Sequence, residues 1–247
     1  NCMKLRHWMA TERRLRILLA SCLFPVQCRL CRNPGQPGIG LCAHCLRELP
    51  WLGRGCRRCS RPLPPESDSD ICASCLQHPR WLNQCSAVFI YQPPIDNWIH
   101  ALKFRQQLGN ARLLGTLLAR HMQDPVPEEP VTVLPVPLHR KRLAERGYNQ
   151  SLEIAATLRR KGYLLDPACC RRNRPTAAQS DLPAAARKRN IVGAFETTRS
   201  VNGEKFLLID DVMTTGTTLE ELARTLKRAG AARVQARVIA RTVKSVY

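Results

Sequence analysis

No stretch of this 247-residue sequence is apolar for long enough to cross a bilayer. The best run, Leu15 to Phe24, contains Arg16, and no small-residue cleavage pattern follows it. Neither a membrane span nor a secretion signal is therefore indicated. Acidic residues are few: 19 Asp and Glu face 39 Lys and Arg, for a net charge of +20. That excess points to a polyanionic partner, whether phosphorylated metabolite, nucleic acid or anionic surface. The plainer alternative is an arginine-rich composition with no dedicated patch. Aromatics are scarce at 5%, while the hydrophobic fraction of 44% is ordinary and excludes global disorder. No internal repeat is present beyond a set of cysteine pairs.

Cysteine is abundant instead. Of 13, eight fall into Cys-x-x-Cys pairs: Cys28/Cys31, Cys42/Cys45, Cys56/Cys59 and Cys72/Cys75. Each such turn aims two sulfurs at one point, and two turns complete a tetrahedral thiolate cage. This pattern indicates metal in a reducing cytoplasm rather than disulfides. Two structural Zn2+ ions are expected, with iron–sulfur as the competitor for thiolate quartets. Sequential pairing is the simplest; cross-bracing is compatible with the same spacing. His44 and His78 are near enough to substitute as ligands, but complete quartets make that unnecessary. Trp51 and Trp81 flank the second cage and are candidates to seal it. No aromatic interleaving accompanies the cysteines, so stapling a region too small for its own core is the better role. Chelation is then expected to unfold residues 24–82 and leave the remainder folded. Cys2, Cys22, Cys85, Cys169 and Cys170 stand outside the pairs as buried or free thiols.

Three regions follow: an N-terminal extension over 1–23 with a helix from Thr11 to Leu23, a double zinc-ribbon-like module over 24–82, and an α/β domain over 85–247. In the last, Ser86 to Tyr91, Val131 to Val136, Phe206 to Ile209 and Val234 to Ala240 read as strands. Helices are expected at about Gln107 to Met122, with Leu114, Leu117, Leu118 and Met122 inward, and at Tyr148 to Lys161, with Leu152, Ala155, Ala156 and Leu158 inward. A further helix runs from Thr218 to Ala229, and Asp124 to Pro130 is a Pro/Glu-rich connection. This alternation implies a parallel sheet with helices on both faces, whose ligands sit at the strands' carboxyl ends.

The most informative stretch runs from Phe206 to Thr218, Phe-Leu-Leu-Ile-Asp-Asp-Val-Met-Thr-Thr-Gly-Thr-Thr. An apolar strand delivers Asp210 and Asp211 to its end, and a loop leads into a helix. Backbone N–H groups of Thr214, Thr215, Gly216, Thr217 and Thr218 form an anion nest at the helix N-terminus. Gly216 permits close backbone approach. Two carboxylates cannot hold a phosphate; they suit sugar hydroxyls or hydrated magnesium beside it. The stretch resembles the phosphoribosyl-pyrophosphate signature of type I phosphoribosyltransferases.

The resemblance extends over residues 20–242. The cysteine pairs, Leu102-Lys-Phe104, the run Val136 to Gln150, Thr176, Gln179 and Arg187-Lys-Arg-Asn190 are similar to the ComF family and its GntX/YhgH-like branch. That resemblance implies a cytoplasmic protein that binds phosphoribosyl pyrophosphate with Mg2+ and transfers the phosphoribosyl group to an unidentified acceptor, in a competence or DNA-utilisation setting. It implies that Asp210 and Asp211 address the ribose hydroxyls and that the 5′-phosphate sits on Thr214–Thr218. Arg140, Lys141, Arg142 and Arg146 fall in the loop expected to take pyrophosphate, with Gly147 allowing its tight approach. Residues 171–189 correspond to a mobile lid and carry six Lys/Arg against one Asp, Arg187 and Arg189 among them; a solvated basic loop is the bland alternative. Lys103 is a further candidate phosphate contact. No general base is evident, no purine, pyrimidine or amine signature is legible, and no amidohydrolase domain accompanies the transferase part. The alternative function is a non-catalytic, nucleotide-responsive module that contacts single-stranded DNA or DNA-uptake proteins.

Overall fold

The computed structural model describes residues 26–122, 129–174 and 191–243. The helix expected at Thr11–Leu23, most of the Asp124–Pro130 connection, and Thr176, Gln179, Arg187 and Arg189 lie outside them. The chain forms two compact units, Asn1–Leu49 and Pro50–Tyr247. The two cysteine quartets therefore fall in different units.

In the first unit, Cys28 opens a tight knuckle: its N–H donates to Asn33 O at 2.7 Å and its carbonyl accepts from Arg32 N at 2.9 Å. Arg32 takes the left-handed conformation, φ 64°. Cys42 then caps the short helix α1 (Ala43–Arg47), its sulfur accepting from Cys45 N. The second unit opens on the same pattern. Cys56 N donates to Arg61 O at 2.7 Å, Ser60 is left-handed at φ 56°, and Cys72 precedes helix α2 (Ala73–Gln77). The duplicated cysteine pairs thus fold as a repeated knuckle.

The second unit is built on five parallel strands. These are β1 (Gln84–Ile90), β2 (Thr132–Pro135), β3 (Leu164–Leu165), β6 (Lys205–Met213) and β7 (Arg233–Arg241), in the order β1-β7-β6-β2-β3. A separate antiparallel hairpin joins β4 (Cys170–Arg172) to β5 (Phe195–Thr197). Alternation along β6 and β7 sends Phe206, Leu208, Val234, Ala236 and Val238 into one core with Leu219, Leu222, Ala223 and Leu226 of helix α7 (Thr217–Arg228). The opposite face takes α4 (Leu108–His121) and α6 (Gln150–Ala155), while α3 (Ile95–Phe104) packs on α4. Leu114, Leu117, Leu118 and Met122 are buried as their spacing predicts.

Gly115 marks the closest approach on that face. A Cβ there would lie 2.5 Å from Ile154 O and from Thr157 Oγ1. Gly115→Ala is expected to destabilise the unit by about 1–3 kcal/mol through overpacking, read as a lower urea midpoint with unchanged slope.

Several expectations require correction. Tyr148–Lys161 is not one α-helix: α6 passes into a 3-10 turn at Ala156–Lys161. The Thr157 hydroxyl there bonds back to Ile154 O at 2.8 Å, which favours the tighter turn. Ile154 rather than Leu152 fills the core, and Ala156 is half-buried. Arg140 to Arg146 form helix α5, not a loop. Gly147 ends it in the left-handed region (φ 83°), and a Cβ there would meet nothing within 4 Å. Its left-handed conformation is that of a helix C-terminus, which favours glycine.

Edge strand β1 is covered by the second knuckle. Ile90 N donates to Pro50 O, Leu52 N to Val88 O, Ala87 N to Ser60 Oγ and Cys85 N to Arg57 O, all between 2.6 and 3.0 Å. Otherwise open ladder positions are satisfied by the cysteine-rich segment. Cys56, Cys59, Cys72 and Cys75 share the buried core with Cys85, Leu134 and Phe206. Trp51 lies on Phe89, ring centroids 4.6 Å apart, and stacks on His121.

Candidate functional site

Strand β6 runs through the acids rather than ending before them, because Asp210, Val212 and Met213 continue the pairing with Val238, Ala240 and Arg241. Successive strand residues point to opposite sides, and the two carboxylates accordingly find different partners. Asp210 Oδ1 accepts from the Ser151 hydroxyl at 3.0 Å and from Asp211 N at 2.9 Å. Asp211 is buried, 3% exposed, and Lys103 Nζ stands 2.9 Å from its Oδ2, as an ion pair lacking hydrogen-bond alignment. Burial, then the adjacent Asp211 carboxylate, push the Asp210 pKa up to about 7, with Lys103 opposing. Ser151 was not singled out from sequence. Its only cue is its place two residues after Asn149, whose side chain caps α6 by accepting from Ser151 N and Leu152 N.

Beyond Met213 the backbone turns into α7. Gly216 is its N-cap at φ 82°, and a Cβ there would come within 2.3 Å of Met213 Cε. Both the backbone and the space call for glycine. Thr215 Oγ1 and Thr217 Oγ1 lie 3.1 Å apart, and Thr214, Thr215, Thr217 and Thr218 remain partly exposed. The loop thus joins hydroxyls, backbone N–H groups and a twelve-residue helix N-terminus, the composition of an oxyanion site.

The basic residues divide. Lys103 pairs with Asp211, and Arg146 bonds Gln150 Oε1 at 2.5 Å beneath the exposed Phe104 ring, 5.7 Å from its centroid. Burial lowers the Arg146 pKa while Asp211 opposes the shift. Arg140 is exposed and Arg142 half-buried on α5. Arg172 on β4 is drawn down to about 10 by burial and by Arg142, with Asp210 countering. A cleft of about 780 Å3 runs between α5 and the β4–β5 hairpin, lined by Leu138, Arg140, Tyr148, Leu152, Arg171 and Arg172 among others. It excludes both acids and the threonine loop, and Arg172 is the residue that connects it electrostatically to Asp210.

Each quartet gathers four sulfurs within 4.8 Å of one another: Cys28, Cys31, Cys42 and Cys45, and Cys56, Cys59, Cys72 and Cys75. The pairing is sequential, and neither His44 nor His78 belongs to a group. Sulfurs at 3.6 Å (Cys31–Cys42) and 3.7 Å (Cys59–Cys72) fit a tetrahedral zinc, whose ~2.3 Å bonds set sulfurs ~3.8 Å apart. Such a cage suits one ion better than a multi-iron cluster. Burial raises the Cys28 thiol, but N–H groups of Cys31, Cys42 and Leu30 outweigh it and bring the thiol to about 6. At Cys56 burial is likewise outweighed, by N–H groups of Cys72, Arg58 and Cys59, giving about 7. The partner sulfurs move the other way: hydrogen bonding to Cys31, then burial, pushes Cys45 up, and burial first pushes Cys59 and Cys75 up. Full ligation as thiolates therefore releases protons and depends on pH.

A family model described as a double zinc ribbon domain matches residues 19–83, and one described as a phosphoribosyl transferase domain matches residues 171–245. DNA utilization protein YhgH of Salmonella typhimurium (strain LT2) is 35% identical over 225 residues, covering 89% of this chain and 98% of that protein. Competence protein F of Haemophilus influenzae (strain Rd) is 30% identical over 230 residues, covering 88% and 98%. The allosteric regulatory enzyme of purine biosynthesis matches at 22% identity and a TM-score of 0.33, over 51% of this chain and 24% of its own length. The fold assignment rests on the two family models and on the parallel sheet with its paired quartets. A double zinc ribbon and a phosphoribosyltransferase domain in one chain, matched nearly end to end by YhgH and competence protein F, make this protein a member of the ComF family.

Proposed function

We propose that this protein binds phosphoribosyl pyrophosphate with Mg2+ at the carboxyl end of β6 and transfers the phosphoribosyl group to an acceptor used in competence or DNA utilisation. One observation carries the reading: adjacent Asp210 and Asp211 near the end of β6, ahead of a threonine-rich turn that opens an α-helix. The 5′-phosphate takes the Thr214–Thr218 turn, and the two carboxylates take the ribose hydroxyls. The donor set fits magnesium as well, since among the described residues Asp210 is bonded through Oδ1 and Asp211 faces the Lys103 ammonium. Magnesium, when bound near Asp210 and Asp211, would supply charge neutralisation for the departing pyrophosphate. Lys103, Arg140, Arg142 and Arg146 add positive charge on that side, with Arg187 and Arg189 proposed for the lid. Transfer breaks the bond from the anomeric carbon to pyrophosphate and forms one to the acceptor. Positive charge develops on the ribose, so the chain's contribution is electrostatic and water-excluding.

Calorimetric titration with phosphoribosyl pyrophosphate, with and without magnesium, tests the reading. Magnesium-dependent binding is expected; absence of binding by folded, zinc-loaded protein would overturn it. The arginines around the α5 cleft favour one second reading, a nucleotide-responsive module that binds single-stranded DNA without turnover. Salt-sensitive DNA binding that survives loss of both aspartates, without pyrophosphate release, would select it.

A further inference from the structure

The second cysteine knuckle is built into the underside of the phosphate turn. Arg241, the last residue of β7, is 5% exposed. Its Nε donates to Cys59 O at 3.1 Å, while its Nη1 donates to Met213 O at 2.9 Å, to Thr214 O and to Thr242 O at 3.0 Å. One guanidinium therefore ties a carbonyl of the Cys56–Cys59 turn to the last carbonyl of β6 and the first of the turn that follows it. In a trans peptide the carbonyl and the next N–H point opposite ways. Holding the carbonyls of 213 and 214 toward Arg241 turns the N–H groups of 214 and 215 away from it, as an anion nest requires.

A second connection starts at Arg80. Its guanidinium interacts electrostatically with the Cys75 sulfur and reaches Glu220 Oε1 at 3.4 Å. It also lies 3.8 Å from where a Gly216 Cβ would be. Glu220 is in the first turn of α7, and its other oxygen accepts from Trp81 N at 2.8 Å. An unneutralised carboxylate in that turn would repel a phosphate at the helix N-terminus. Arg80 offsets it and fixes the helix start to the cage. Between these ties, Met213 Sδ lies 3.5 Å from Cys85 Sγ and its methyl fills the space under Gly216.

We propose that the metal-bound Cys56/Cys59/Cys72/Cys75 cage braces residues 213–218 in their anion-binding shape, with Arg241 and Arg80 as the positioning residues. The proposal rests on the reading of this turn as the ribose-phosphate site. Neither arginine is expected to touch the ribose or its leaving group. Their effect is on the shape of the turn.

Zinc-loaded Arg241→Met, Arg241→Lys and Arg80→Met proteins provide the test, with metal content, amide hydrogen exchange of 213–218 and phosphoribosyl-pyrophosphate affinity measured together. Lysine keeps the charge of Arg241 but cannot span Cys59 O and both loop carbonyls at once. All three variants are expected to keep full zinc, to exchange the turn's amides about tenfold faster or more, and to bind at least about tenfold more weakly. A Cys28→Ser/Cys45→Ser protein, lacking the other quartet, should retain the turn's protection. Wild-type exchange in the arginine variants would overturn the proposal, as would equal deprotection in the Cys28/Cys45 variant. Should Arg241→Met not fold, Arg241→Lys and Arg80→Met decide by the same readout. Failure of the wild type to bind the ligand would instead sink the phosphate reading, while the exchange data still decide the brace.

Discussion

Asp210→Asn/Asp211→Asn protein is expected to lose magnesium-dependent phosphoribosyl-pyrophosphate binding, by at least about a hundredfold, without unfolding. The fold should survive because the amide oxygen introduced at position 210 can still accept from Ser151 Oγ and from the 211 N–H, the two bonds that Asp210 makes. Asp210→Asn alone is expected to raise stability above neutral pH by about 1–3 kcal/mol, since burial and the Asp211 charge oppose ionisation there. The sign follows from linkage. A carboxyl whose pKa rises from 3.8 unfolded to about 7 folded binds its proton more tightly in the native state. Its favourable contribution is present at acid pH and is lost as pH climbs through that window. Wild-type stability should therefore fall between about pH 4 and pH 7 by an amount that the variant does not show. Ligand affinity should move oppositely, rising toward pH 7 as the carboxylate forms. Denaturant titrations across that range, beside calorimetry at each pH, measure both slopes. A wild-type stability profile that matches the variant would remove the raised carboxyl from the account.

Loss of the second quartet is expected to unfold far more than a small module. Cys59→Ser/Cys72→Ser removes two thiolates from a cage that shares its core with the sheet and covers the edge of β1. Structural zinc contributes on the order of 10 kcal/mol in comparable sites, against a typical domain stability of about 5–15 kcal/mol. Residues 50–243 should then lose cooperative unfolding and become protease-sensitive as one unit. The equivalent Cys31→Ser/Cys42→Ser change falls in the other unit, Asn1–Leu49. Its expected signature is loss of one zinc and local cleavage within residues 26–49. This revises the expectation that chelation would unfold 24–82 and spare the rest. Limited proteolysis and zinc counting on both proteins distinguish the cases, and identical digestion patterns would contradict the shared core.

What was legible in the sequence had a local physical cause. Two-residue cysteine spacing specifies thiolate turns whatever surrounds them, so both quartets could be written down before any fold. Four apolar residues, two acids and a Thr-Thr-Gly-Thr-Thr turn specify a strand, a polar strand end and a helix start within one continuous segment. The helical face of Leu114, Leu117 and Leu118 declared itself by spacing in the same way. Where short-range rules competed, they failed. Arg140 to Arg146 read as a charged loop because charge carries no helical period, yet Gly147 can end a helix there. The strand through Asp210 to Met213 was read short because hydrophobicity stops at Ile209, while hydrogen bonding to β7 continues.

The sequence by itself determined the metal-binding cysteines and their chemistry, the parallel α/β class and the residues of the threonine-rich turn that opens α7. Tertiary structure decided sequential pairing of the quartets, the partners Ser151 and Lys103 of the two acids, and the junction between Cys59, Arg241 and the turn. The reason is distance along the chain. Arg241 and Cys59 are 182 residues apart, Lys103 and Asp211 more than a hundred, and no local propensity encodes which strand ends will meet. Only closure of the sheet brings β1, β7 and β6 side by side, and with them the second knuckle beneath the threonine-rich turn.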